Sequence, residues 1–147
     1  MFRKLLVTSN SFAPLIIRLG LAVVFVAHGS QKVLGAYGGP GFKNFISGNT
    51  PFTFMRPSWL WLSAAALSEL VGGLLVGFGF LTRVGAFFLL CDMLTAIIGV
   101  HWPNFFSGNR GLEYPMALLA MSLSLIISGA GAVSVDKAMS GGGGKRR

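Results

Sequence analysis

Long apolar stretches alternate along the chain with short segments that hold most of the charge. Four stretches are long enough to cross a bilayer as helices, which takes about 20 residues at 1.5 Å of rise each. They run from Phe12 to Leu34, from Trp59 to Thr82, from Val84 to Trp102 and from Pro115 to Val135. Backbone polar groups in hydrocarbon must be satisfied within their own segment, so helices are the expected elements. Only Thr82-Arg83 parts the second and third segments, which predicts a tight antiparallel hairpin. A longer link, Gly35 to Ser58, holds Gly38-Gly39-Pro40-Gly41 and then Phe42 to Ile46. This predicts a turn followed by a short amphipathic stretch on the membrane surface. Pro103 to Tyr114 forms a further Gly- and Asn-containing loop. The expected fold is therefore all-α: a membrane four-helix bundle over 1–137, with a Gly/Pro/Phe-rich extracytoplasmic loop between helices one and two. A flexible basic tail is expected at 138–147.

Composition agrees with this pattern. Of 147 residues, 53% are hydrophobic and 11% charged, and mean hydropathy is +0.70. A soluble domain carries about 25% charge, so too little polar surface is available to face water. Disordered chains, basic nucleic-acid-binding domains and disulfide scaffolds are excluded. Cys91 is the one cysteine, so neither an intramolecular disulfide nor a CxxC pair can form. The net charge of +8 reads as a topology signal. Arg3, Lys4, Arg83, Lys137, Lys145, Arg146 and Arg147 fall on the side of the termini; Lys32, Lys43, Arg56 and Arg110 fall on the other. The excess predicts that both termini are cytoplasmic. Arg3 and Lys4 precede an apolar run as in a signal peptide, but Arg18 interrupts that run, so a retained helix is expected.

Candidate chemistry lies in the ionisable residues at membrane depth, which are costly there and usually face the bundle interior in pairs. On the helix rise, His28 sits about 9 Å from the outer end, Asp92 about 14 Å, Glu69 about 15 Å and Arg18 roughly 24 Å. His28, Gln31 and Lys32 share one face of the first helix, and Glu69 and Glu113 are their expected acidic partners. Arg18 is expected to form a structural ion pair with Asp92, Glu69 being a second candidate. Glu69, Gly73 and Gly77 share a face of the second helix, and Gly85, Phe88, Asp92, Thr95 and Gly99 a face of the third, so small residues permit close packing. The only histidines, His28 and His101, differ in depth by about 9 Å, which disfavours a bis-histidine haem. No metal site is expected. A quinone needs an apolar slot, an aromatic wall and a few polar groups for its oxygens. His28, Gln31, Lys32, Glu69, His101 and Glu113 are the candidate ligand-binding set, in an outer-half pocket opening near Trp59 and Trp102.

At these residues the chain resembles the DoxX family of small bacterial four-helix membrane proteins. The resemblance spans Leu15 to Asp136. It is carried by Arg18-Leu19-Gly20-Leu21, Ala27-His28-Gly29-Ser30-Gln31-Lys32, Gly38-Gly39-Pro40-Gly41-Phe42, Glu69-Leu70-Val71-Gly72-Gly73, Leu81-Thr82-Arg83, His101-Trp102-Pro103-Asn104 and Gly111-Leu112-Glu113-Tyr114. Arg18, His28, Lys32, Glu69, His101 and Glu113 match the family's polar positions; Asp92 has no such counterpart. The resemblance implies a terminal-oxidase, thiosulfate:quinone oxidoreductase or oxidative-stress setting. The leading expectation is a membrane subunit of a redox complex that meets quinone, with protein partners, the lipid bilayer around it and no nucleic acid. The alternatives are an accessory subunit whose polar pairs only fix helix assembly, and a pathway for protons or a small solute.

Overall fold

The computed structural model describes Leu6 and residues 8–141. Arg3, Lys4 and residues 142–147, with most of the expected basic tail, lie outside the described residues. The elements are α1 (Ala13–Leu34), α2 (Gly41–Ile46), α3 (Ser58–Phe78), α4 (Thr82–Ala96), α5 (Glu113–Ser128) and α6 (Val135–Gly141), with no strand among the described residues. A π-helical turn, Ile97–His101, prolongs α4. With that turn, α1, α3 and α4 reach 22, 21 and 20 residues, long and apolar enough to cross a membrane. The chain is thus an all-α membrane bundle. The amphipathic stretch expected after Gly41 is α2.

The four long helices close a ring. α1 packs on α3, α3 on α4, α4 on α5, and α5 returns to α1. Leu21, Phe25, Val76, Ala86, Leu89, Met93, Leu118 and Leu125 fill its centre. Lipid is as apolar as these side chains, so close backbone approach and packing must hold the ring. Two contacts show it. A Cβ on Gly29 would lie 2.5 Å from the Leu70 nitrogen, so α1 and α3 touch backbone to side-chain stem. A Cβ on Gly85 would lie 3.0 Å from the Gly72 carbonyl, which seats α4 on α3. Large side chains such as Ile16, Val23, Phe78 and Ile127 stay exposed on the outside of the ring, as a lipid-facing surface requires.

Two boundaries differ from expectation. The hairpin link is Gly79–Leu81, and Thr82-Arg83 begins α4. Gly79 and Leu81 adopt left-handed backbone (φ 67° and 48°), and the Asp136 carboxylate accepts from the Leu81 and Thr82 amides at 2.7 and 3.0 Å. That carboxylate caps the start of α4 from a distant part of the chain. The fourth apolar helix stops at Ser128, well short of Val135. Gly129 leaves helical geometry at φ 74°, ψ −165°, and Gly131 follows at φ 84°. Gly129, Ala130 and Gly131 are buried in protein, where other groups satisfy the non-helical backbone.

Candidate functional site

Three ionisable side chains from three helices meet inside the ring. Lys32 lies in the last turn of α1, where a cation complements the helix dipole. Its ammonium is 2.5 Å from Oε1 of Glu69 on α3. The Glu69 side chain is 6% exposed and that of Lys32 24%. The Phe45 ring of α2 covers the ammonium from the other side, 5.3 Å from Nζ to the ring centre, a cation–π contact. Asp92 of α4 adjoins Glu69 and Ser68. Two carboxylates therefore face one ammonium. Glu69 Oε2 and Asp92 Oδ2 are both buried without a hydrogen-bond partner. Unsatisfied buried carboxylate oxygens are expensive, so their retention beside a cavity marks this place in the fold.

That cavity is a slot of about 300 Å³ between α3 and α4, with Asp92 in its wall. Thr50, Ser68, Cys91 and Thr95 are its other polar side chains, and Trp61, Phe87 and Phe88 line it with aromatic rings. Phe87 and Phe88 are exposed on the outside of the ring, so the slot opens laterally toward lipid. Thr50, Pro51 and Met55 close its end at the loop face. Gly99 explains why that loop seats here: a Cβ on Gly99 would lie 2.6 Å from the Pro51 side chain and 3.0 Å from the Phe52 ring. The Thr50 hydroxyl donates toward the Phe52 and Met55 carbonyls at 3.2 and 3.1 Å, holding the loop's own turn.

The expected Arg18–Asp92 ion pair does not form. Arg18, 2% exposed, donates from Nε to the Val76 carbonyl at 2.8 Å and from Nη2 to Gly77 at 2.8 Å. From Nη1 it donates to Ala130 at 2.9 Å and Val133 at 2.7 Å. The guanidinium fork thus caps the last turn of α3 and the broken backbone after α5. Its counter-charge is Asp136, the same carboxylate that caps α4. A fixed planar fork suits this task, because it can reach several carbonyls at once.

The six-residue pocket expected from the sequence divides. Lys32 and Glu69 join, and Asp92 completes the group. His28 is on the exposed side of α1 and does not line the slot. Gln31 packs by its backbone against Gly39, where a Cβ would lie 2.5 Å from the Gln31 carbonyl. His101 Nδ1 lies 2.6 Å from the Arg110 carbonyl; a carbonyl only accepts, so Nδ1 carries the proton. Glu113 accepts from the Ser107 amide at 2.6 Å, and Ser107 holds its carboxyl below the usual carboxylate range, the side chain first and the amide second. His101 and Glu113 therefore fold the loop between α4 and α5. Of the three tryptophans Trp61 lines the slot, and Trp59 and Trp102 do not. The residues missed as slot groups are Asp92, expected only as a structural ion, with Thr50, Ser68, Cys91 and Thr95. The shared helix face of Phe88, Asp92 and Thr95 was the available signal.

Comparison with known proteins places this geometry. The DoxX family model matches residues 13–102, which hold Lys32, Glu69, Asp92 and the whole slot, while α5 and Glu113 lie beyond. A protein of Bacillus subtilis (strain 168) named "Putative oxidoreductase CatD" is 31% identical over 128 residues, covering 87% of this chain and 87% of that protein. No solved structure matches the chain significantly.

Proposed function

The chain belongs to the DoxX family, and from that membership and the slot geometry we propose that it binds a lipid-soluble quinone or its quinol as the membrane subunit of a redox complex. The observation that carries the reading is the Asp92 carboxyl, with its Oδ2 buried and free of any hydrogen-bond partner, in the wall of an aromatic, laterally open slot. A volume of about 300 Å³ sits at the lower end of small-molecule sites, which are mostly apolar with a few placed polar groups. An ionised carboxylate accepts from a quinol hydroxyl, and a protonated one donates to a quinone carbonyl. Quinone chemistry moves protons with electrons, and Asp92 and Glu69 against one lysine form a group able to hold or release a proton beside the slot. With a single cysteine the chain has no dithiol to carry two electrons, so a partner protein supplies or accepts them. The relative's name, which carries the word oxidoreductase, supports a redox setting. The slot supports quinone as the ligand class.

The test uses the protein in lipid nanodiscs with Trp59 and Trp102 replaced by Phe, leaving Trp61 in the slot wall as the reporter. A one-isoprene benzoquinone should quench Trp61 saturably. Asp92→Asn should weaken binding about ten- to a hundredfold, the worth of one hydrogen bond to a charged group. Cys91→Phe, a bulky replacement at an exposed lining position that adds no second indole, should abolish it. Quenching that grows linearly with quinone in the lipid and ignores both variants would overturn the reading, leaving the polar group as helix-assembly structure only.

A further inference from the structure

The slot does not end at Asp92. A second apolar groove of about 340 Å³ shares Ala64, Ser68 and Phe88 with it and continues along α3 past Val71 to Leu75. Its floor follows from residue size: Ala64, Ser68 and Gly72 recur every fourth position on one face of α3 and leave a furrow. Leu67, Val71 and Leu75 stand along it, and Phe88 crosses over from α4. The two parts differ in chemistry. Asp92, Cys91, Thr95 and Thr50 belong to the slot, whereas Ser68, whose hydroxyl is already bonded to the Ala65 carbonyl at 2.9 Å, is the one polar side chain of the groove. A continuous cavity that is polar at one end and apolar at the other fits an amphiphile with a small head and a long chain. The direction is also right for a lipid-soluble molecule. α3 starts at the loop face, so the groove leads from the slot deeper along the helix toward the end that Arg18 caps.

We infer that this groove is the tail track of the slot's ligand, and that the ligand is a quinone or quinol bearing a prenyl chain rather than a short, water-soluble one. The inference rests on the quinone reading of the slot. Ala64 to Leu75 spans about 16 Å at the helical rise, the length of about three isoprenoid units. Moving a chain from lipid into a groove gains packing rather than hydrophobic transfer. The tail therefore contributes by shape, and its contribution ends where the groove ends.

The experiment measures nanodisc binding of benzoquinones bearing one, three and nine isoprenoid units. Each affinity is referred to mole fraction in the lipid, so that partitioning cancels. Affinity should rise about tenfold from one unit to three and then stay flat to nine. Val71→Trp, a ring laid across the groove from an exposed position, should lower three-unit affinity to the one-unit value and leave one-unit binding unchanged. Leu67→Trp, also exposed, makes the same test if the first variant does not assemble. Saturable one-unit binding with no tail dependence overturns the tail track and leaves the slot reading standing; this is also the result if a phospholipid chain occupies the groove. Binding at no tail length overturns both.

Discussion

Replacing Arg18 by Met should cost this protein more stability than any other single exchange of a charged side chain. The perturbation removes four hydrogen bonds, to the carbonyls of Val76, Gly77, Ala130 and Val133. Val76 keeps a second donor, the Gly79 amide at 3.1 Å. Of the other three, Ala130 loses a buried bond and Gly77 and Val133 part-buried ones; at about 1–3 kcal/mol for the buried group and about 0.5–1.5 kcal/mol for each of the others, the loss is about 2–6 kcal/mol. Asp136, 1% exposed, would also lose its counter-charge. Domain stabilities are about 5–15 kcal/mol, and each kcal/mol moves the melting point by about 2–4 °C in a chain near this size. A drop of at least about 4 °C in detergent melting is therefore expected, with Arg18→Lys intermediate because one ammonium cannot reach carbonyls on both sides. A double-mutant cycle separates this account from ion pairing. Arg18→Met and Asp92→Asn should add, since the two side chains share no partner, whereas Arg18→Met and Asp136→Asn should be strongly coupled. A melting point within about 2 °C of the parent, or coupling of Arg18 with Asp92, would refute the reasoning.

Gly29→Val should prevent the bundle from assembling, because its first side-chain atom would lie 2.5 Å from the Leu70 nitrogen; normal accumulation in the membrane with a parental melting point would contradict the α1–α3 contact. Lys32→Met should destabilise through the orphaned Glu69 carboxylate, by less than the ~3–5 kcal/mol of a fully buried broken pair since Lys32 is 24% exposed. Adding Glu69→Gln to Lys32→Met should restore part of the loss, and thermal unfolding of the double variant with no recovery would count against the pair.

The helices were legible because a bilayer leaves a coarse signature: some twenty residues with almost no charge between charged ends. Their breaks were less so. The fourth apolar run continues in composition through Ala130 and Ala132 to Val135, and the backbone torsions of Gly129 and Gly131 end the helix there. Glycine frequency alone does not announce this, since 21 glycines are spread through the chain. Depth counted along each helix placed Glu69 and Asp92 within about 1 Å of one another, and the structure sets them side by side. Helix periodicity likewise put Phe88, Asp92 and Thr95 on one face, and all three line the slot. The partner of Arg18 was not legible, because the groups it serves are backbone carbonyls, and those carry no residue type. Nor was the loop's place over the slot, which depends on Pro51 finding the bare backbone at Gly99.

That misreading bears on function. Matching opposite charges by depth assumes that buried ions exist to hold helices together, and on that assumption Arg18 belongs with Asp92 and Lys32 with Glu69. The fold keeps the second pair and not the first. Arg18 is used on carbonyls and on Asp136 at one end of the bundle, while Asp92 is left beside Glu69, whose own ion pair is with Lys32. A bundle selected for assembly alone would gain by making position 92 apolar, since an acid at that depth costs roughly 2.5–3.5 kcal/mol on insertion scales and Lys32 is already paired with Glu69. The neighbouring Met93 and Leu89 show that this segment of α4 packs well with apolar residues. A costly carboxylate at the one position where it meets both a second acid and an open slot is better explained by what enters the slot than by what the helices need from each other.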